Sequence, residues 1–199
     1  MKKNKNALFL QRLFAYLIDV IIVAVLAGML SSPLINKTST EKINKELTSV
    51  LQKYQKQEIT FDTYLKEYSV LALESSKQSG IVNVFSVFVS ILYFIVFQLY
   101  NKGQTLGKKI LRIKVVSDSG ELTMNQMIFR SLLINSILLN MITIAVISFI
   151  SDSMTYFYVV GFLELLQYIF FITCLFMVMF SKEKISLHDK ITKTRVVNI

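Results

Sequence analysis

The sequence predicts an all-α integral membrane protein: a four-helix transmembrane bundle with an external amphipathic helical hairpin and a short cytoplasmic β-hairpin. Three observations predict it. Four windows are almost free of charge: residues 13–36 hold only Asp19, 81–101 and 131–151 hold none, and 153–181 hold only Glu164. Each reaches the ~20 residues that cross ~30 Å of hydrocarbon. The basic residues gather at alternate ends of these windows. Residues 36–79, by contrast, are polar and repeat their apolar side chains at helical spacing. The chain is 53% hydrophobic and 18% charged, with a net charge of +9. Soluble domains average roughly 45–50% apolar and about 25% charged. A soluble enzyme, a disordered basic protein and a disulfide-stapled secreted domain are all poor fits, the last because Cys174 is the only cysteine.

The chain divides into 1–31, an N-terminus and first span; 32–80, an extracytoplasmic hairpin; and 81–199, the remaining spans, a loop and a tail. The first span covers about 9–31 and stops at Ser31-Ser32-Pro33, where the only proline suits a helix end. It is long for a signal-peptide core and contains Asp19, so it is expected to stay as an anchor. In 36–79, Ile43, Leu47, Val50, Leu51 and Tyr54 fall at helical spacing, and Phe61, Tyr64, Leu65, Tyr68 and Leu71 repeat the pattern after a break near Glu58–Thr60. Two amphipathic helices with facing apolar sides are expected, capped at Thr38 or Ser39 and at Thr60.

The second span is read at 81–100, the third at 127–150 and the fourth at 156–180. The short turn near Ser151-Asp152-Ser153 makes the last two antiparallel neighbours. In the loop 101–126, β-prone Ile110, Ile113, Val115 and Val116 precede the turn signal Asp118-Ser119-Gly120, which predicts a short β-hairpin. A weaker signal pairs Val196-Val197 of the tail with that hairpin.

Charge orients the bundle. Lys2, Lys3, Lys5 and Arg12 precede the first span, Lys102 to Lys114 lie between the second and third, Arg130 opens the third, and Lys182 to Arg195 follow the fourth. Basic residues near span ends stay cytoplasmic, so both termini are expected inside. The loop cluster Lys108, Lys109, Arg112 and Lys114 is expected to face anionic lipid headgroups at ~1 kcal/mol per residue. Nucleic acid need not be invoked as a partner. Gly103 to Lys109 is one residue short of a phosphate-binding loop and has Lys109 where Ser or Thr belongs, so it reads as a tight turn.

Three stretches carry a family resemblance. They are Gln11-Arg12-Leu13-Phe14-Ala15-Tyr16-Leu17-Ile18-Asp19, then Gly103-Gln104-Thr105-Leu106-Gly107-Lys108-Lys109-Ile110-Leu111-Arg112-Ile113-Lys114-Val115-Val116 followed by Asp118 and Gly120, with Arg130 opening the next helix, and Leu187-His188-Asp189-Lys190 followed by Thr194-Arg195-Val196-Val197. In this order, flanking these spans, they resemble the RDD family of bacterial multi-pass membrane proteins. Residues 36–79 are longer than the outer loop expected of that family. The resemblance implies a bacterial cell (inner) membrane location. It also implies signature residues Arg12, Asp19 and Asp189, and transport of a proton, cation or other small ligand, with sodium–proton antiport in some members.

The residues add constraints of their own. Arg12 and Asp19 are seven apart, on one helix face and ~10 Å apart along the axis. An ionised Asp19 in the apolar layer costs at least ~2.5–3.5 kcal/mol, so it should face the bundle interior. It is either a proton or cation site tuned by Arg12, with Asp189 as a cytoplasmic relay, or a structural anchor. Glu164 is a second candidate, read as a buried carboxylate. Asn83, Asn135 and Asn140 suit inter-helix hydrogen bonds. His188, the only histidine, could respond to pH beside Asp189. It makes a poor metal site alone, and Cys174 reads as packing. No enzyme activity, cofactor or metal is expected. A carrier with four spans would need a homo-oligomer. The rival reading is a non-enzymatic protein that binds an envelope or membrane protein through 36–79.

Overall fold

The computed structural model describes residues 5–199, so Lys2 and Lys3 of the basic N-terminus lie outside the described residues. Helix α1 (Phe9–Ser31) closes in a short 3-10 turn at Ser32–Leu34 that carries Pro33. Its buried residues are Ala15, Asp19, Val23, Ala27 and Ser31, one every four positions. That spacing makes a narrow stripe of mostly small side chains, which lets a neighbouring backbone approach closely. The neighbour is α3 (Phe61–Ile91), and Val23, Ala27, Val89, Tyr93 and Phe94 form one of the two apolar cores.

Helix α2 (Lys37–Gln55) folds back on the first half of α3, burying Ile43 and Val50. Its cap is Asn36, whose side chain accepts from the Ser39 amide, in place of the expected Thr38 or Ser39. Thr60 caps α3 as expected. The hairpin and the second span are not separate pieces, because α3 runs without a break through Gly80. The division at 80 is a change of composition along one helix. A π-helical turn at Leu92–Phe97 and the final turn α4 (Gln98–Tyr100) extend it, so helix persists from Phe61 to Tyr100, 40 residues in all.

The loop that follows contains α5 (Leu106–Ile110) and strand β1 (Ile113–Ser117). The expected local β-hairpin is replaced by a long-range pair. Strand β1 runs antiparallel to β2 (Thr194–Asn198) from the tail, with Val115 opposite Val196. Only a single bridge, Ser117 to Gly120, marks the turn. The buried residues of β1 join Ala7, Ala15, Ile95, Met127 and Val196 in the second core.

The stretch expected to form the third span is broken. Helices α6 (Met124–Ile134) and α7 (Ile137–Phe149) meet at 65°, with Ser136 in the left-handed region (φ 54). Helix α8 (Ser153–Phe180), capped by Asp152, and the single-turn α9 (Leu187–Thr192) complete the chain. By length and composition, Phe9–Leu34, Phe61–Tyr100 and Ser153–Phe180 can each cross a membrane, and the bent pair adds a fourth crossing if it counts as one span.

Candidate functional site

The site forms where the N-terminal ends of α1 and α6 meet the loop and the tail. Its first part surrounds Asp19, which is wholly buried. The Tyr93 hydroxyl donates to Oδ1 at 2.7 Å and the Gly107 amide donates to the same oxygen at 2.8 Å. The Thr105 hydroxyl donates to Oδ2 at 2.5 Å, and the Lys108 ammonium stands 3.7 Å from it. Local structure makes this set. The π turn, a device common at functional sites, carries Tyr93, and the Ser131 hydroxyl donates to the Phe94 carbonyl within the same turn. Thr105 caps α5, which aims the Gly107 amide at α1. A Cβ on Gly107 would stand 2.2 Å from the Ala15 carbonyl oxygen, so only glycine fits this approach.

The second part surrounds Asp189, also wholly buried. Arg12 donates to its Oδ2 at 2.8 Å, and Arg130 donates to Oδ1 and, at 2.9 Å, to the Thr194 hydroxyl. Arg12 also donates to the carbonyls of Ala7 and Val196. One carboxylate thus joins α1, α6, α9 and β2. Asp189 is placed by a capping box, in which the Ser186 hydroxyl accepts from its amide and its carboxylate accepts from the Ser186 amide. Burial alone would raise the Asp189 carboxyl, but the charges of Arg130 and Arg12 override it and hold it well below the usual carboxylate range.

His188 is buried and packs beside these groups. Its Nδ1 lies 3.4 Å from Cys174 Sγ, and its Nε2 lies 3.1 Å from the Ser186 hydroxyl and 3.7 Å from Asp189. Burial, reinforced by Arg130, pushes it down to about 3, so it is neutral at pH 7. Burial also lowers Lys108, against the pull of Asp19, to about 8, so it stays mostly protonated at pH 7.

A cavity of about 100 Å³ opens beside both clusters. Arg12, Lys108, Arg130, Gln98, Ser131, Asn135 and His188 supply its polar lining, and Leu13, Tyr16, Phe171, Leu175 and Val178 supply an apolar wall from α1 and α8. The broken span contributes Ile134 and Asn135 at the bend itself.

A sequence model of the RDD family matches residues 6–193. The chain belongs to the RDD family. No curated protein and no solved structure matches it. Arg12, Asp19 and Asp189, the residues the resemblance implies as its signature, sit in one neighbourhood, but in a different pairing from the expected one. Arg12 binds Asp189 rather than tuning Asp19, since its guanidinium turns toward the tail strand instead of along its own helix. Asp19 is held by Tyr93, Thr105 and Gly107, donors its own segment does not reveal.

Other expectations need correction. Lys108 does not face lipid with the loop cluster. The short α5 turns it inward to Asp19, while Lys109 and Arg112 stay exposed. Glu164 is exposed on α8, not buried, because α8 turns only its other side to the bundle. Asn83, Asn135 and Asn140 make no side-chain hydrogen bond among the described residues, and Asn135 lines the cavity instead. Arg130, a secondary candidate in the sequence, lies at the centre of the site. The contact between Cys174 and His188, 14 residues apart across a turn, is one that sequence spacing does not reveal.

Proposed function

We propose that this RDD family protein is a four-span protein of the bacterial cell membrane, with both termini cytoplasmic, that carries a small ligand through the cavity at the cytoplasmic end of its bundle. The observation that carries this reading is the broken span. Irregular backbone at membrane depth is tolerated where it lines a cavity, and discontinuous helices commonly build the ligand sites of carriers. The break at Asn135-Ser136 lies in the wall of this cavity.

The sign of charge favours an anion over a proton or metal cation. Arg12, Lys108 and Arg130 outnumber Asp19 and Asp189, and His188 is neutral. Both oxygens of Asp19 already accept from protein donors. In this reading the buried carboxylates are the frame of the site and the cations are its working surface.

Proteoliposomes test it. Sealed vesicles holding the protein should take up a labelled organic anion such as acetate or glycerol phosphate, and Lys108→Gln should slow uptake about tenfold, the loss of one charge-assisted contact. Flux of protons against sodium or potassium, abolished in a folded Asp19→Asn protein, would restore the carboxylate as the working group. No flux of any probe would end the carrier reading.

One observation favours the partner reading. Tyr54, Phe61 and Tyr64 cluster at the tip of the α2–α3 hairpin, with Tyr54 and Tyr64 stacked at 4.8 Å, and Tyr54 and Phe61 exposed. Exposed aromatic clusters suit protein contacts. In that reading, a protein co-purifying with the full chain would be lost when Tyr54 and Phe61 are changed to Ser.

A further inference from the structure

Three features of the cavity narrow what it holds. The first is an uncompensated charge. The group Arg12, Asp189 and Arg130 carries one net positive charge, whereas Lys108 and Asp19 cancel. The second is unused donor capacity. Arg130 is 7% exposed and lines the cavity, yet it spends only Nη1 on Asp189 and Thr194. Its Nε and Nη2 have no acceptor among the described residues, and together they form the edge of the guanidinium that grips an oxyanion with two parallel hydrogen bonds. The third is the opposite wall, where Leu13, Phe171, Leu175 and Val178 present apolar surface from two membrane helices. A free anion has no use for that wall, and an uncharged lipid tail has no use for Arg130.

We propose that this cavity binds a singly charged amphiphile, a phosphodiester lipid whose headgroup sits on the free edge of Arg130 beside Lys108 and whose tails leave along α8. The proposal deepens the carrier reading, because it names the class of ligand for the same cavity. One negative charge neutralises the Arg12–Asp189–Arg130 group, whereas inorganic phosphate brings more charge than the site lacks and leaves the apolar wall bare. A basic pocket between membrane helices on the cytoplasmic side is a known form of headgroup site. It differs from the diffuse attraction of the exposed loop lysines, which needs no cavity and no particular headgroup.

The test is titration of the full-length protein, purified in an uncharged detergent, with three probes: dioctanoyl phosphatidylglycerol, dioctanoyl phosphatidylcholine and inorganic phosphate. Binding is read by native mass spectrometry and by the shift in Tm. Phosphatidylglycerol should bind at least tenfold more tightly than either of the others. Leu175→Trp, which fills the apolar wall and touches no charge, should remove that binding. Lys108→Gln should weaken it about tenfold, while the same change at exposed Lys182 should leave it alone. Arg130→Lys, which keeps the charge but loses the fork, should also weaken it, and the other variants stand if this one fails to fold. Equal binding of phosphatidylcholine, or binding of inorganic phosphate that survives Leu175→Trp, would overturn the proposal. So would phosphatidylglycerol binding that falls equally in Lys182→Gln. Lipid binding without flux would end the carrier reading and keep this site. Flux of a small anion without lipid binding would do the reverse.

Discussion

Gly107 shows how much of this site depends on single side chains, including one that is absent. Its amide reaches Asp19 only because the loop lies directly on α1, with no room for a Cβ beside the Ala15 carbonyl. Gly107→Ala should lower stability by ~1–3 kcal/mol, the usual cost of overpacking. Gly28→Ala and Gly80→Ala place a Cβ in open space and should be neutral or slightly stabilising. Thermal unfolding in detergent separates the three, and equal effects would deny the close approach. His188 makes a second prediction at this scale. It is held at about 3 in the folded chain against an ordinary 6.5, so between those values the unfolded chain binds more protons. Stability therefore falls as pH falls through that window, by ~2–3 kcal/mol at pH 4.5. Asp189 is shifted in the same direction, but its contribution is lost only below its own unfolded value of ~4. The groups facing His188 are Arg12, Lys108, Arg130, Asp189, Ser186 and Cys174. A Tm that falls from pH 7.5 to 4.5, and that His188→Gln flattens, is the expected result. An equal fall in both proteins would place the acid sensitivity elsewhere.

Among the elements, the bend between α6 and α7 is the one that sequence reading could not supply. Breaks are usually signalled by Pro or Gly, and Asn135-Ser136 offers neither. Ser136 holds a left-handed conformation that costs an L-residue about 1 kcal/mol. Ser136→Gly should raise stability by about that amount and Ser136→Val should lower it. A straight helix would give the opposite order, since glycine weakens a helix interior. The same contrast explains what could be read from the residues. The bounds of α1 were legible because a long apolar run ends at Ser31-Ser32-Pro33, and the α2–α3 break was legible because its apolar spacing is interrupted near Thr60. Strand β1 was legible as a strand from its β-branched run. Its partner in the tail was signalled only by Val196-Val197, because Val115 and Val196, distant in sequence, are joined by tertiary packing. Arg12, Asp19 and Asp189 could be named as candidates, but their pairing could not. Which way a guanidinium or an ammonium turns depends on neighbours such as the Val196 carbonyl and the Asp19 carboxylate, and these arrive from distant segments.

At the scale of the whole molecule, length and charge together constrain how the chain sits in a bilayer. Helix from Phe61 to Tyr100 spans 40 residues, ~60 Å at 1.5 Å per residue and about twice the ~30 Å hydrocarbon thickness. Only its second half, from about residue 81, is free of charge. In the proposed topology the first half projects beyond the membrane, with α2 packed along it, at the end where α1 finishes. The opposite end holds Lys102, Lys109, Arg112 and the basic tail, and the proposed orientation, which follows the positive-inside preference, puts that end in the cytoplasm. The seven lysines of 32–80 pull the other way, but six acidic residues accompany them and leave that segment close to neutral. Cysteine labelling decides between the two orientations. Cys174 is buried, so Cys174→Ala gives a background without thiols on which single cysteines can be placed. Lys56→Cys at the hairpin tip should react with a membrane-impermeant maleimide in intact cells. Glu121→Cys in the loop and Lys190→Cys on α9 should react only after the membrane is opened. The reverse pattern would invert the molecule and put the cavity on the outer face. Labelling of Lys56→Cys and Glu121→Cys from the same side would mean that the helix from Phe61 to Tyr100 does not cross the bilayer.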